Sequence, residues 1–257
     1  MDFDKFYPEI SAHAAAEYPK EACGIITPDE YIPVQNVADE PTEHFALPAA
    51  VLDKLTGALA VVHSHPDGPD APSASDIAGQ MNNALLWGLC VVTADRTVSK
   101  PFYWGDTLEP PPLIGREFRH GPSGTDGRGD CYALIRDWYR LEKGVILPDF
   151  PRDDSWWETG GDLYVDHFAE AGFVEIPASS ARDGDVFMMK VQSEKINHAG
   201  ILTGGSQLIL HHLAGRLSRQ EPMGRWYKFI AKWVRYSHAL TTCSGRLAQL
   251  IRRAFYF

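Results

Sequence analysis

Residues 58–76 read ALAVVHSHPDGPDAPSASD, and this stretch decides the fold of the first half of the chain. The apolar run before His63 predicts a buried strand. His65 follows two residues later, so both imidazoles project from the same face of that strand. Ser73 and Asp76 have the spacing of a helix start, which places Asp76 in the first turn of a helix. The stretch therefore predicts a strand, a loop and a helix that bring two imidazoles and one carboxylate together.

These three side chains suit a metal site with hydrolytic chemistry. Two imidazoles and one carboxylate bind zinc and leave one position for water, whose pKa the metal lowers to about 7. Glu21, just before a predicted strand at Cys23–Thr27, is a candidate general base, and Ser73 is a candidate donor to the developing oxyanion. The structural alternative is that His-x-His is a common sequence and that Ser-x-x-Asp merely caps a helix.

The combined pattern resembles a known enzyme family. His-x-His, seven residues and Ser-x-x-Asp, with a glutamate near an earlier strand, resembles the JAMM (MPN+) metalloproteases over roughly residues 5–105. The matching residues are Glu21, His63, His65, Ser73 and Asp76. The resemblance implies an α/β sandwich of the cytidine deaminase-like type, with Zn²⁺ on His63, His65 and Asp76. It also implies hydrolysis of amide or isopeptide bonds, but it does not identify the substrate.

The second half opens with residues 130–143, DCYALIRDWYRLEK, whose apolar spacing predicts a helix closed by Gly144. Cys131 stands at the start of this helix, where backbone amides favour the thiolate. A thiolate nucleophile needs an imidazole partner, which usually needs an orienting group. A hairpin predicted downstream brings His198 near His211 or His212.

This second arrangement resembles the NlpC/P60 cysteine peptidases over about residues 125–236. The resemblance assigns Cys131 as nucleophile and His198 as general base, and strand phase favours His211 over His212 as the third residue. The usual Ser-Gly after the cysteine is replaced by Tyr132-Ala133. The resemblance implies a papain-like α+β domain that cleaves peptidoglycan stem peptides, often at the D-glutamyl–diaminopimelate linkage.

Residues 105–130 separate the two halves and are rich in glycine and proline, which is typical of a spacer. We therefore place a JAMM-like domain at 1–112, a linker at 113–125 and an NlpC/P60-like domain at 126–257. Periodicity predicts helices at Phe3–Tyr18, Ala49–Leu55, Ser75–Leu86, Cys131–Lys143 and Gly161–Ala171, and another after Ser244. Predicted strands lie at Cys23–Thr27, Tyr31–Val37, Ala58–Val62, Leu89–Thr93, Asp185–Val191, Ala199–Thr203, Leu208–Leu213 and Trp226–Tyr236.

The overall composition excludes several classes of protein. Lys+Arg 24 against Asp+Glu 34 gives a net charge of −10, which excludes nucleic-acid binding by phosphate neutralisation. No apolar run approaches the roughly 20 residues of a transmembrane helix, and the first residues lack the features of a secretory signal. We therefore expect a protein made in the cytosol without an integral membrane segment. Four cysteines without a CxxC pair predict neither a disulfide framework nor a structural zinc site.

The order of the two domains resembles a family of tail-assembly proteins of long-tailed phages. That resemblance implies other tail-tip proteins as partners, peptidoglycan peptides as substrate and a place at the virion tail tip after synthesis in the host cytoplasm. Two alternatives remain. The chain is a structural tail-tip component or assembly factor with idle sites, or its JAMM-like half trims another tail protein while the cysteine half acts on the wall.

Overall fold

The computed structural model describes residues 3–52, 55–83 and 85–237, which divide into two compact units. The first unit comprises the chain up to Pro112 together with Arg119–Gly129 and Asp149–Asp154. The second comprises Leu113–Phe118, Asp130–Pro148 and the chain from Ser155 onward. Within the described residues, every helix is too short or too polar to span a bilayer.

The first unit contains a five-stranded sheet with three helices. Its strands are β1 (Cys23–Ile26), β2 (Tyr31–Val34), β3 (Ala60–Pro66), β4 (Leu86–Val92) and β5 (Phe102–Trp104), in the order β2-β1-β3-β4-β5. The helices are α1 (Tyr7–Glu17), α2 (Ala49–Leu52) and α3 (Ala74–Asn83). Strands β3 and β4 are parallel, and α3 connects them because parallel neighbours need a crossover. This crossover carries the residues of the predicted metal site.

Helix α3 ends earlier than the sequence predicts. The pattern extended it to Leu86, but Leu86 begins β4 and is buried opposite Ala60. The side-chain oxygen of Asn83 accepts hydrogen bonds from the backbone N–H of Leu85 and from Nε1 of Trp87. An asparagine that bonds to the backbone two residues on favours a turn, which ends the helix at this point.

The second unit is α+β, with a six-stranded antiparallel sheet. Helix α4 (Cys131–Lys143) packs against β8 (His198–Thr203), and a short helix α5 (Leu163–His167) follows α4. The other strands are β6 (Phe173–Ile176), β7 (Val186–Met189), β9 (Leu208–His211), β10 (Arg219–Pro222) and β11 (Ile230–Tyr236). The order β10-β9-β8-β7-β11-β6 places β8 and β9 side by side.

The caps of α4 fix the position of Cys131. Asp130 is the N-cap, and its Oδ1 accepts a hydrogen bond of 2.8 Å from the backbone N–H of Ala133. At the other end, Gly144 adopts the left-handed conformation that commonly closes a helix. Helix α4 therefore has the predicted bounds, and Cys131 is its first residue.

Several elements of the second unit differ from the sequence prediction. Gly224–Phe229 forms 3-10 turns, so the strand predicted from Trp226 begins at Ile230. The helix predicted at Gly161–Ala171 is limited to α5. Strand β10 was not predicted because its sequence, RQEP, has no apolar residue and it pairs at the edge of the sheet with β9. The helix predicted after Ser244 lies outside the described residues.

Arg119 attaches a glycine-rich segment to the first unit. Its guanidinium lies 3.8 Å from the ring centroid of Phe102 and donates hydrogen bonds to Asp126 and to the carbonyl oxygens of His120 and Pro122. The residue is only 4% exposed. Because the charge is buried and fully bonded, removing the side chain leaves several polar groups without partners.

We expect Arg119→Ala to lower the free energy of unfolding by about 3 kcal/mol, since breaking a buried ion pair is strongly destabilising. Arg128→Ala is the matched control, because Arg128 also contacts Asp126 but its side chain is 30% exposed. Arg128→Ala should lower the free energy of unfolding by less than about 1 kcal/mol. Urea denaturation of both variants makes the measurement, and equal losses would contradict the structural role given to Arg119.

Candidate active sites

Strand β3 and helix α3 bring the predicted metal ligands together. Nε2 of His63 lies 3.3 Å from Nε2 of His65 and 3.3 Å from Oδ1 of Asp76. Nε2 of His65 lies 3.4 Å from Oδ2 of Asp76. All three residues are buried, and their ligand atoms all lie within 4.8 Å of one another.

The spacing of these three donors fits a small tetrahedral cation. Ligand bonds of about 2.0–2.1 Å at tetrahedral angles separate neighbouring ligand atoms by about 3.3–3.4 Å, which the observed distances match. Burying two imidazoles and a carboxylate with their lone pairs converging is costly unless a cation lies among them. The donor set therefore fits a divalent metal, with His63, His65 and Asp76 as its ligands.

The imidazole of His65 is held in the orientation that a metal ligand needs. Its Nδ1 donates a hydrogen bond of 2.9 Å to the carbonyl oxygen of Pro69, which leaves the lone pair on Nε2. His63 is oriented by packing instead, because its ring stacks on Phe45 at a centroid distance of 4.7 Å. Nδ1 of His63 is buried and makes no hydrogen bond with the described residues.

Glu21 lies beside this cluster because of the register of β1 and β3. Cys23 is paired with His63 in antiparallel strands, so Glu21 comes opposite His65, and Oε1 of Glu21 lies 3.8 Å from Nε2 of His65. Burial raises the pKa of Glu21, and the neighbouring His63 and His65 only partly oppose this rise. A carboxyl group with a raised pKa is suited to accept and return a proton near neutral pH.

Ser73 caps helix α3 and contacts the metal-site carboxylate. Its backbone N–H and its hydroxyl both donate to Oδ2 of Asp76 over 2.7 Å, and Oγ accepts from the backbone N–H of Asp76. This reciprocal arrangement is a helix cap. The carboxylate of Asp76 can therefore cap α3 and bind a metal at the same time. Desolvation raises the pKa of Asp76, but His63 and His65 outweigh it and lower the pKa overall.

A cavity of about 640 Å³ opens onto these residues. Glu21, His65, Ser73 and Asp76 line its polar side, and Phe45, Leu47, Leu55 and Trp87 line an apolar side. The described residues contain a second group with ligand spacing, Glu40, Glu43 and His44, but all three of its members are exposed. The buried cluster is therefore the better candidate metal site.

In the second unit, Cys131 lies at the start of α4 and is partly buried. Its Sγ shares a hydrogen bond of 3.1 Å with the hydroxyl of Tyr164 on α5. The thiols of Cys23 and Cys90 differ, since both are fully buried and burial raises the pKa of each to about 12. Cys131 is therefore the described cysteine that is best placed to act as a nucleophile.

His198 and His211 form a buried pair on neighbouring strands. Nε2 of His198 lies 3.2 Å from Nδ1 of His211, and His198 is the first residue of β8, the interior strand against which α4 packs. Burial lowers the pKa of both imidazoles. Both rings are therefore neutral at neutral pH, which is the state that a general base needs.

His212 does not join this pair. Its ring makes an edge contact with Phe118, and neither ring nitrogen makes a hydrogen bond with the described residues. Successive residues of a strand face opposite sides, so His211 and His212 have different surroundings. Of the two histidines that the sequence left open, the geometry places His211 beside His198.

The buried His212 predicts acid-sensitive stability. Burial lowers its pKa from 6.5 to about 4, so the unfolded chain takes up this proton at a higher pH than the native protein. Stability is therefore lost as the pH falls from 6.5 to 4, by about 3 kcal/mol. In His212→Leu this part of the stability loss should disappear, whereas His167→Leu, at a half-buried position on α5, should keep it. Urea unfolding at pH 7.5 and 4.5 measures the difference, and equal losses in both variants would refute it.

Sequence reasoning missed two residues near the cysteine site. Oε1 of Glu221 accepts a hydrogen bond of 2.9 Å from Nε2 of His211. Glu221 lies on β10, the polar edge strand that periodicity could not predict, so no sequence signal pointed to it. Tyr164 contacts the Cys131 thiol. An isolated tyrosine in a short helix gives no sequence signal of such a contact either.

Both units match family models. Residues 4–104 match the prokaryotic homologs of the JAB domain, and residues 115–235 match the NlpC/P60 family. These matches confirm the predicted fold class, an α/β JAB-like domain followed by an α+β NlpC/P60 domain. Thus the two arrangements described above occur in domains of two peptidase-related families.

Comparison with whole proteins narrows the class further: the chain belongs to the family of phage tail tip assembly proteins that combine these two domains. It is 38% identical over 240 residues to tail tip assembly protein K of Escherichia phage N15, covering 88% of this chain and 92% of that protein. It is 37% identical over 183 residues to tail tip assembly protein K of Escherichia phage lambda, covering 71% and 80%. A probable TtuB-protein conjugate cleaving protease of Thermus thermophilus is 38% identical over 81 residues, covering 27% of this chain and 55% of that protein.

Proposed function

We propose that the chain is a two-site hydrolase of the phage tail tip. The NlpC/P60 unit acts as a cysteine peptidase that cleaves peptidoglycan stem peptides during host entry. The JAB unit acts as a zinc-dependent peptidase on an amide or isopeptide bond. Other tail-tip proteins are the expected partners, in keeping with the tail tip assembly role of the relatives.

The buried His198–His211 pair carries the proposal for the cysteine site. A nucleophilic thiol needs a neutral imidazole with one nitrogen free and the other held by a third group. His198 meets this requirement, because Nε2 contacts His211 and α4, which begins with Cys131, packs against β8. A purely structural histidine pair has no need of a cysteine at the start of the adjoining helix.

The cysteine reaction is an acyl transfer in two steps. Cys131 gives its proton to His198, and the thiolate attacks the carbonyl carbon of the substrate amide. The C–N bond then breaks while His198 returns the proton to the leaving amine, which leaves an acyl thioester on Cys131. In the second step His198 takes a proton from water and the hydroxide attacks the thioester. The C–S bond breaks, the proton on His198 returns to the sulfur of Cys131, and the carboxylic acid is released.

The JAB half of the proposal rests on the three buried donors. Nε2 of His63, Nε2 of His65 and the carboxylate of Asp76 would hold the zinc ion. When bound, zinc acts as a Lewis acid that lowers the pKa of water and polarises a carbonyl group. Glu21 takes the proton from the attacking water and delivers it to the leaving amine. The hydroxyl of Ser73 turns from Oδ2 of Asp76 to donate to the developing oxyanion.

Release of stem-peptide fragments from purified cell walls tests this proposal. The protein should release soluble fragments, iodoacetamide should abolish the release, and a zinc chelator should leave it unchanged. These two inhibitors separate the sites, because one blocks a thiol and the other removes a metal. Walls that stay intact, or release that only the chelator stops, would contradict the assignment of wall cleavage to the cysteine site.

A role in tail assembly is the second candidate for the JAB unit. The relatives are tail tip assembly proteins, and the Thermus relative is a probable protease of protein conjugates. Tails assembled with Glu21→Gln test this role, because loss of the general base should leave another tail protein uncut. Mass spectrometry of those tails should detect a longer precursor, and identical tail proteins in both preparations would exclude the role.

A further inference from the structure

Three side chains in the second unit form one continuous line of hydrogen bonds. Nε2 of His198 contacts Nδ1 of His211, and Nε2 of His211 contacts Oε1 of Glu221. The line crosses three neighbouring strands, β8, β9 and β10. The ring of Trp226 covers His211 on a further side, with centroids 5.0 Å apart. His211 is therefore confined by packing and bonded at both of its nitrogens.

The carboxylate at the end of this line determines where the protons lie. An ionised carboxylate can only accept a hydrogen bond, so Nε2 of His211 must be the donor. A neutral imidazole then has its lone pair on Nδ1, so Nε2 of His198 must donate to it. The lone pair of His198 is thereby placed on Nδ1. Within the part of the chain that the structure describes, the His198 ring is hydrogen-bonded through Nε2, so Nδ1 remains for the thiol.

We infer that Glu221 is a positioning residue of the cysteine site, which fixes the tautomers of His211 and His198 and stabilises the imidazolium formed when Cys131 loses its proton. The inference rests on the proposed function of that site. Glu221 touches neither the thiol nor the substrate in this scheme. It keeps its negative charge throughout, and in the activation step the proton moves from Cys131 to Nδ1 of His198.

The charges around the pair are consistent with this role. Desolvation raises the pKa of Glu221, but the hydrogen bond and charge of His211 outweigh it, so the carboxyl is ionised at neutral pH. Desolvation lowers the pKa of His211, Glu221 opposes this, and Arg219 and Arg216 add to the lowering. Desolvation lowers the pKa of His198, and the charges of His211 and His212 lower it further. Of the charged groups that act on the pKa of His211, Glu221 is thus the negative one, and Arg219 and Arg216 are positive.

Alkylation of Cys131 by iodoacetamide tests the inference without any wall substrate. The rate is followed against pH at the Cys131 peptide by mass spectrometry, because only the thiolate reacts. In the unmodified protein the thiolate should persist at pH values well below 8.5, the approximate pKa of an ordinary thiol. In Glu221→Gln the rate at pH 6 should fall at least about 10-fold and the midpoint should move to higher pH, since the amide can donate to His211 and carries no charge.

The matched control is Glu175→Gln. Glu175 lies in the same sheet and bonds to Lys232 over 2.7 Å, so this variant also removes an ion-pair carboxylate. Its profile should match that of the unmodified protein. If Glu221→Gln does not fold, Glu221→Ala with and without formate replaces it, and formate should restore part of the lost rate.

The outcomes separate the inference from the proposed function. If Cys131 of the unmodified protein reacts rapidly at low pH and Glu221→Gln does not change that rate, the role of Glu221 is wrong, while the cysteine site stands. An unmodified protein whose Cys131 titrates as an ordinary thiol overturns the cysteine site itself, and the inference with it. A lowered rate in Glu221→Gln with an unchanged melting temperature and an unchanged Glu175→Gln profile supports both.

Discussion

Replacing Cys131 with alanine should lower the release of stem-peptide fragments by at least about 10⁴-fold, because loss of a nucleophile removes covalent catalysis altogether. The substitution removes only a sulfur at the partly buried start of α4, so the melting temperature should change little. Fragment release from purified walls is the readout, with the far-ultraviolet spectrum as a check on folding.

The control for this prediction is Cys90→Ala. Cys90 lies in the middle of β4, fully buried, and burial raises the pKa of its thiol to about 12, so it cannot supply a nucleophile at neutral pH. This variant should keep its activity even where it loses some stability. Wall digestion that persists in Cys131→Ala, or that stops in Cys90→Ala with the fold intact, would count against the assignment.

Zinc binding should be lost when both ligand histidines are replaced. The unmodified protein should retain about one zinc per chain after dialysis, since three buried donors converge on one point. The double variant His63→Ala/His65→Ala keeps only Asp76, and its affinity should fall by at least about 10³-fold. Elemental analysis of the dialysed proteins makes the measurement.

His44→Ala is the matched control for zinc. His44 belongs to the exposed group with Glu40 and Glu43, which has ligand spacing but no burial. This variant should retain the zinc of the unmodified protein. Zinc that stays with the double variant, or that is lost from His44→Ala, would place the metal elsewhere and remove the basis for the JAB half of the proposal.

The metal cluster is the part of the molecule that the sequence predicts best. Alternation along a strand puts His63 and His65 on one face, and a helix cap puts Asp76 in the first turn of α3, so local rules alone bring the donors together. The position of Cys131 is predicted in the same way. Asp130 as N-cap and Gly144 as the residue that ends the helix make Cys131 the first residue of α4.

The parts that sequence reasoning missed depend on long-range pairing. Strand β10 has no apolar residue, so only its pairing with β9 makes it a strand and places Glu221 beside His211. Glycine and proline near Arg119 indicate an irregular backbone, but they do not reveal that Arg119 packs on Phe102. Leu86 has a helical pattern before it and still belongs to β4, because pairing with β3 outweighs local propensity.

In the proposed function, Cys131 attacks a peptide bond of the bacterial wall. The most direct test is to incubate the chain with a purified muropeptide that contains diaminopimelate and to measure the product masses. Cleavage between the D-glutamyl and diaminopimelate residues should give two fragments, and Cys131→Ala should give none. A muropeptide that remains intact, with protein whose Cys131 is still alkylated rapidly at pH 6, would contradict the claim.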